Sequence, residues 1–436
     1  MEITITDEMK HALDLIEQTD QHVFITGKAG TGKTTFLRYI VNNTEKHFIV
    51  AASTGIAAIN AGGVTLHSLF RIPLGAIDPE APVKGIIHKD KFKLLNEIDG
   101  IIIDEISMVR PDVMDFVDHR LRQVRGKDIP FGGVQVIMFG DLYQLPPVVK
   151  SDEAKVLDNF YAGPYFFYAR TFQQKGFNIV ELNQIFRQTD ARFIEILNHI
   201  RSYDITPEDV EDLSGLRNKY MSEQYTSQHI HICTHKNDVD RINKTLLGQP
   251  THTFKATTKG DFNLKHAPCE KVLELRVGAR VMTLCNNRTQ GFCNGSLGFV
   301  KAILDDRIVV TLDEGYEVSV EKYTWEAGEY QLKNGKVTKD IKGTCTQYPL
   351  ALAWAITIHK SQGLTFPNVI IHSKGVFCPG QIYVALSRCT SMEGVISDSF
   401  ITKRHILADD DLMKFEKAYK QTNNYFSAET YKLMQK

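Results

Sequence analysis

The sequence predicts an α/β fold: a parallel, doubly wound sheet, then a second sheet of the same kind interrupted by a small β-rich insertion. Three observations carry that expectation. Short apolar runs alternate with amphipathic stretches through the first half of the chain. The same strand-then-helix alternation restarts at Ile230. Between residues 286 and 345, helical signal gives way to short runs with tight turns, including Asn334-Gly335, which predicts a β-barrel.

The first half opens with Thr6-Asp7-Glu8 before an apolar pattern at Met9, Ala12, Leu13 and Ile16, the signature of a capped amphipathic helix. An apolar run from Val23 then meets Gly27-Lys28-Ala29-Gly30-Thr31-Gly32-Lys33-Thr34-Thr35, followed by helical signal from Phe36 to Val41. This matches G-x-x-x-x-G-K-[ST], a phosphate-binding loop. Glycines at 27, 30 and 32 allow backbone angles that turn successive amides inward, and the following helix adds its positive dipole end. Lys33 is expected on the β- and γ-phosphates and the Thr34 hydroxyl on Mg²⁺.

A strand from His47 to Ala52 leads into two tracts rich in small and hydroxyl residues, with Thr54, Thr65 and His67 among them. Such turns suit phosphate gripping by short side chains and amides. Residues 71–90 carry proline and glycine without clean periodicity and read as a loop-rich insertion. The run from Gly100 ends in Asp104-Glu105, an aspartate for the Mg²⁺ shell and a glutamate to orient and deprotonate water. A helix with Pro111 in its first turn follows, and the strand from Val134 to Phe139 leads to Gly140-Asp141 and Gln144, placed to sense a γ-phosphate.

In the second half, the aromatic residues Tyr161, Tyr165, Phe166, Phe167, Tyr168 and Phe172 read as core. Arg187 follows an apolar stretch, helical signal is expected from Leu350 to Gly363, and a helix carries Gln381, Tyr383, Ser387 and Arg388. His229, His231, Cys233 and His235 alternate along a strand, so they line a row and do not converge on one ion; packing and capping roles are expected. The neighbours Cys285 and Cys293 are read the same way.

Composition limits the partners. The chain has 436 residues, long for one domain, with 43% hydrophobic and 24% charged residues, as in ordinary globular proteins. Formal charge is −1, so a nucleic acid must be met by a local groove and not by a global field. Seven cysteines without C-x-x-C indicate reduced thiols in an intracellular compartment. No apolar run is long enough to span a membrane, and no signal peptide is visible at Met1 to Glu8.

The phosphate loop, Ile103 to Ser107, Gly140 to Pro147, Phe186-Arg187-Gln188, Ile358-His359-Lys360-Ser361-Gln362-Gly363 and Val384 to Arg388 resemble the motif series of superfamily-one helicases. Within it the chain is similar to the Pif (petite integration frequency) helicases, through Ile106–Arg125 and Pro130 to Val148. RecD-type and conjugative-relaxase helicases are the nearest alternatives. The resemblance implies two RecA-like domains with ATP between them: 1–65 and 91–180 as the first, and 181–285 and 346–436 as the second. It also implies a strand-separating wedge at 66–90 and an SH3-like domain at 286–345. Lys33, Thr34, Asp104, Glu105 and Gln144 would serve catalysis, with Arg187 and Arg388 as arginine fingers and Gly363 beside the nucleotide. Thr54, Thr65, His67, Thr234, His359 and Lys360 would follow single-stranded DNA.

The implied activity is ATP- and Mg²⁺-dependent 5′→3′ unwinding of forked or tailed duplex by a monomeric unit in bacterial or phage cytoplasm. G-quadruplexes and RNA–DNA hybrids are further candidate substrates, and an ATP-switched DNA clamp is the rival reading. One departure stands out: Met9 occupies the place where members carry an adenine-reading glutamine.

Overall fold

The computed structural model describes residues 4–435 except 55–56, 59–60, 74, 84–88, 223–228, 265–266, 288, 293 and 334–335, and only the backbone of 328–333 and 336–340. Two compact units emerge. The first comprises Met1–Arg187, Glu329–Asp340 and Ala408–Lys436; the second comprises Gln188–Gly328 and Ile341–Leu407.

The first unit is built on β1 (His22–Gly27), β2 (Phe48–Ala52), β3 (Val64–Thr65), β4 (Gly100–Asp104), β5 (Gln135–Phe139) and β6 (Phe177–Leu182). They lie side by side in the order β6-β1-β5-β4-β2-β3, all parallel. Strands β1, β4 and β5 are buried along their whole length, as continuous apolar runs covered on both faces must be. Helix α1 (Asp7–Gln18) is capped by Thr6, whose hydroxyl oxygen accepts the Met9 amide at 3.3 Å, and buries Met9, Ala12 and Ile16. Helix α2 (Lys33–Asn43) buries Phe36, Leu37 and Ile40 against the same core. The helix Pro111–Arg125 has its proline at the first position, as expected.

The expected wedge, 66–90, begins as a short helix, Leu66–Phe70, and ends in the helix Lys89–Glu97. Between them Asp112 accepts the Ile77 amide at 3.0 Å, and Arg110 donates to the Gly75 carbonyl, so this loop is seated on the start of the helix Pro111–Arg125. Residues 84–88 of the expected insertion lie outside the described residues.

The expected domain bounds are corrected twice: the second unit begins at Gln188 and not at 181, so that β6 and Arg187 belong to the first, and 346–436 does not belong wholly to the second. The strand Tyr425–Phe426 pairs antiparallel with β6, and residues 408–436 join the first unit. Aromatic burial is the reason. Phe426 stacks on Phe177 (4.9 Å between centroids) and Phe415 on Phe167 (4.2 Å), which covers the cluster Tyr161 to Phe172 that the sequence marked as core.

In the second unit, β7 (Ile230–Cys233) opens a parallel sheet. Then come β8 (His252–Lys255), β9 (Thr257–Gly260), β10 (Val272–Leu275), β11 (Arg280–Thr283), β12 (Leu297–Ile303), β13 (Arg307–Leu312), β14 (Glu317–Glu321), β15 (Tyr323–Lys333), β16 (Lys336–Gln347) and β17 (Leu350–Leu352). The β-rich insertion is therefore wider than 286–345. Its main sheet runs β14-β13-β12-β11-β17, all antiparallel, around a core that includes Val281, Val300, Ile308, Val310 and Leu350.

The helix expected over Leu350–Gly363 is also corrected. Leu350–Leu352 pairs with β11, and β18 (Ala355–Thr357) pairs with β7; only Ile358–Ser361 is helical. Alanine-rich composition favours a helix locally, but the neighbouring strand edges take both segments. With β19 (Val369–His372) and β20 (Val395–Ser397), the parallel sheet runs β18-β7-β19-β20.

Phe426 is fully buried. Phe426→Ala is expected to cost the first unit about 3–5 kcal/mol in denaturant unfolding, as for a large aromatic removed from a core.

Candidate active site

The carboxyl ends of β1, β4 and β5 deliver the phosphate loop, the acid pair and Gln144 to the same edge of the first sheet. The loop has the conformation its glycines were expected to allow: Gly30 and Gly32 have φ of +84° and +80°. Gly27 is required by space, since a Cβ there would lie 2.6 Å from the Leu182 carbonyl oxygen. The Lys28 carbonyl accepts from the Thr31 amide at 3.4 Å and from its hydroxyl at 3.0 Å. Ala29 is buried, and Thr34 and Thr35 are exposed on the first turn of α2.

The Lys33 ammonium donates to the carbonyls of Gly27 (2.7 Å) and Lys28 (2.9 Å), which folds it over the loop at the place where phosphate oxygens would compete for it. Phe186 donates its amide to the Gly30 carbonyl at 2.8 Å, so the segment leaving β6 is tied to the loop just before half-buried Arg187. The sequence reading included Phe186 in a motif with Arg187 but gave it no role of its own.

Asp104 ends β4 with 7% of its surface exposed. Burial raises its carboxyl to about 6, against the opposing pull of the Glu105 amide (2.9 Å to Oδ1) and the charges of Lys33 and Arg38. Glu105 stands in the left-handed region at φ +52°, a strained turn for a residue with a side chain. Gln144 is buried and donates its amide nitrogen toward Asp141 Oδ2 at 3.4 Å, while Asp141 also accepts the Tyr143 amide at 3.1 Å. Asp141 is thus a positioning residue that sequence reading quoted without assigning a role. The Asp104 carboxyl and the exposed Thr34 hydroxyl are oxygen donors of the kind a hard cation such as Mg²⁺ takes.

Met9 is 1% exposed in the core under α1, so it offers no polar group to a base. Arg388 is 1% exposed in the second unit. Its guanidinium donates to the carbonyls of Val384 (2.9 Å), Ser361 (3.2 Å) and Leu364 (3.2 Å) and to the Ser387 hydroxyl (2.8 Å). Gly363 lies beside that network, exposed, at φ +79°.

The expected DNA contacts share a local device. Thr54 Oγ1 accepts the Ala57 amide (3.2 Å) and Thr65 Oγ1 the Ser68 amide (3.2 Å), each capping the turn after a strand. Thr357, which the sequence reading passed over, does the same for Lys360 at 3.1 Å in the second unit. His67 and His359 are half-buried, burial holding His359 below the usual imidazole range, and Lys360 is exposed. Thr234 differs, being buried with its hydroxyl donated to the Lys374 carbonyl at 2.9 Å.

Of the alternating histidines, His231 enters a hydrogen-bonded chain with residues of neighbouring strands: its Nδ1 meets His372 Nε2 at 2.8 Å, and His372 Nδ1 meets Asp398 at 2.8 Å. Among the described residues no group of three His, Cys, Asp or Glu is arranged to hold a metal. Cys293 lies outside them; the close thiols are Cys269 and Cys345, sulfurs 3.8 Å apart.

A phosphate loop, a strand-end acid pair and a buried glutamine at one edge of a parallel sheet have the layout of the phosphate-loop nucleotide-binding class. Residues 4–210 match the family model of the PIF1-like helicases, and 264–303 that of the DNA helicase Pif1 2B domain. A Bacteroides sp Pif1 solved with ADP-AlF4 is 51% identical, covering 98% of this chain and 99% of its own at a TM-score of 0.92. A Bacteroides Pif1 helicase with ADP-AlF3 and ssDNA is 52% identical at the same coverage, with a TM-score of 0.75. The ATP-dependent DNA helicase Pif1 of Bdellovibrio bacteriovorus is 30% identical over 96% of this chain and 93% of its own. The PIF1 helicase of Danio rerio is 34% identical over 91% of this chain, which spans 61% of that relative's length. The chain belongs to the PIF1-like helicase family.

Asp104 gives a test of the site's electrostatics. Its folded carboxyl titrates near 6 against an ordinary value of 3.8, so the ionised form costs stability that appears as pH rises from about 4 to 6. Asp104→Asn is therefore expected to stabilise the nucleotide-free protein at pH 7 by on the order of 1–3 kcal/mol while removing hydrolysis. Thermal melts at pH 4.5 and 7 measure the first effect, with the gain larger at the higher pH.

Proposed function

We propose that this chain is an ATP- and Mg²⁺-dependent DNA helicase that moves 5′→3′ along single-stranded DNA and unwinds tailed or forked duplex. The observation that carries the reading is the meeting of the loop, Asp104-Glu105 and Gln144 at one sheet edge, since a protein that only binds triphosphate has no need of a base and a γ-phosphate sensor. The relatives point to the nucleic acid: a Bacteroides homologue was solved with ADP-AlF3 and ssDNA.

Lys33 and the loop amides hold the β- and γ-phosphates, Thr34 and Asp104 hold Mg²⁺, and Glu105 takes the proton of the attacking water, which Gln144 orients. Bound Mg²⁺ supplies neutralisation of charge on the phosphate oxygens. Arg187 and Arg388 steady the charge of the transferring group, for which Arg388 exchanges carbonyl partners for a phosphate oxygen. Thr54, Thr65, His67, Thr234, His359 and Lys360 track the DNA backbone, so binding is sequence-tolerant and weakens with salt. Residues 66–90 act as the strand-separating wedge, and the β-rich insertion is the accessory 2B domain. Each turnover alternates tight and loose grips on the strand through domain closure.

Among the described residues no helix is long and apolar enough to cross a membrane. The bacterial relatives and the free thiols favour a reducing cytoplasm.

Glu105→Gln is expected to bind ATP and ssDNA normally but to lose turnover roughly 100- to 10,000-fold in a steady-state ATPase assay. Substrate polarity is read with duplexes carrying a 5′ or a 3′ tail, of DNA or of RNA. Displacement that requires a 5′ DNA tail supports the reading, a 3′ requirement overturns the polarity, and binding without displacement by the isolated chain favours the ATP-switched clamp.

A further inference from the structure

The carboxyl ends of β7, β19 and β20 continue into three loops tied together by side chains. Thr234 donates its hydroxyl to the Lys374 carbonyl at 2.9 Å, and the Ser373 and Ser399 hydroxyls meet at 2.6 Å. On this platform His235 and Phe377 stack, ring centroids 5.5 Å apart and planes inclined by 22°. The stack is held from beneath. Gly375 has φ +77°, a conformation glycine favours, and a Cβ there would come within 2.8 Å of the imidazole and push it from its place. Gln381, fully buried, accepts the Phe377 amide at 3.0 Å and fixes the backbone that carries the ring. Yet Phe377 is 58% exposed. A large ring fixed by a backbone anchor and a stacking partner, with its outer surface in water, is a poor core residue and a ready-made surface for another π system.

The neighbouring strand ends hold the expected backbone contacts. In the order β18-β7-β19-β20, His359 and Lys360 follow β18, Thr234 follows β7 and Lys374 follows β19. At the usual strand spacing the four ends span roughly 14 Å, room for a few nucleotides of extended strand.

The geometry points to Phe377, backed by His235, as a stacking platform for a nucleobase of the single-stranded DNA that this edge would track. The inference rests on the helicase reading and adds to it a base contact beside the phosphate contacts, on the second unit. Because every base offers a π face, the contact is sequence-tolerant, as a translocating enzyme requires.

The test is equilibrium binding of the full chain to a fluorescent oligothymidine, with thermal melting to check each variant's fold. Phe377→Ala is expected to weaken binding roughly 5- to 150-fold, the range for one stacked base, and Phe377→Trp to preserve it. Replacing the bases by abasic sites should weaken wild-type binding and erase the difference between wild type and Phe377→Ala. Equal affinity of Phe377→Ala and wild type for oligothymidine, or an equal deficit on abasic DNA, overturns the stacking assignment. Failure of the wild-type chain to bind either strand overturns the DNA reading itself.

Discussion

The amide of Phe186 donates to the carbonyl of Gly30, and Gly27 lies so near the Leu182 carbonyl that no side chain fits between them. These two approaches draw the end of β6 against the phosphate loop, and the rest of the nucleotide site depends on them. Beside these approaches the loop turns through Gly30 and Gly32, both in left-handed angles. The same approaches fix where Arg187 emerges, one residue beyond the hydrogen bond. The phosphate loop and Arg187 are thereby made parts of one local structure. Strand β6 is in turn kept in place by the C-terminal strand, so the last residues of the chain support a site built from its first two hundred.

Charge at the site follows the same logic of close approach. Asp104 is desolvated because β4 ends inside the sheet edge, and a buried carboxylate is stable only when a cation faces it. The Glu105 amide donates to Asp104 Oδ1 at the end of the strand, just before the chain turns through a left-handed residue. Arg388 shows the complementary case. Its charge is buried and satisfied by carbonyls of the second unit, which keeps a guanidinium folded and ready without leaving it unpaired.

The parts most legible in the sequence were those where a backbone requirement dictates residue type. The glycines of the loop, the Thr6 cap, Pro111 at its helix start and the apolar runs of β1, β4 and β5 each follow from local sterics or period. The aromatic cluster announced a core. What covers it was hidden, because Phe415 and Phe426 lie more than two hundred residues away and only packing joins them. The same cause misled the reading of Leu350–Thr357, whose alanines suggest a helix while the free edges of β11 and β7 make it strand. Asp141 and Phe186 fell inside quoted motifs, but their contacts were hidden for a related reason: one bonds the Gln144 side chain and the other acts through its backbone amide, and neither contact follows from residue type.

The claim beneath all of this is that the Lys33 ammonium, now held on the Gly27 and Lys28 carbonyls, is the group that grips the triphosphate. Its most direct test is the ATP turnover of Lys33→Ala in the presence of single-stranded DNA. The account predicts turnover at background, at least roughly 100-fold below the parent chain. Retained DNA-stimulated turnover would contradict it.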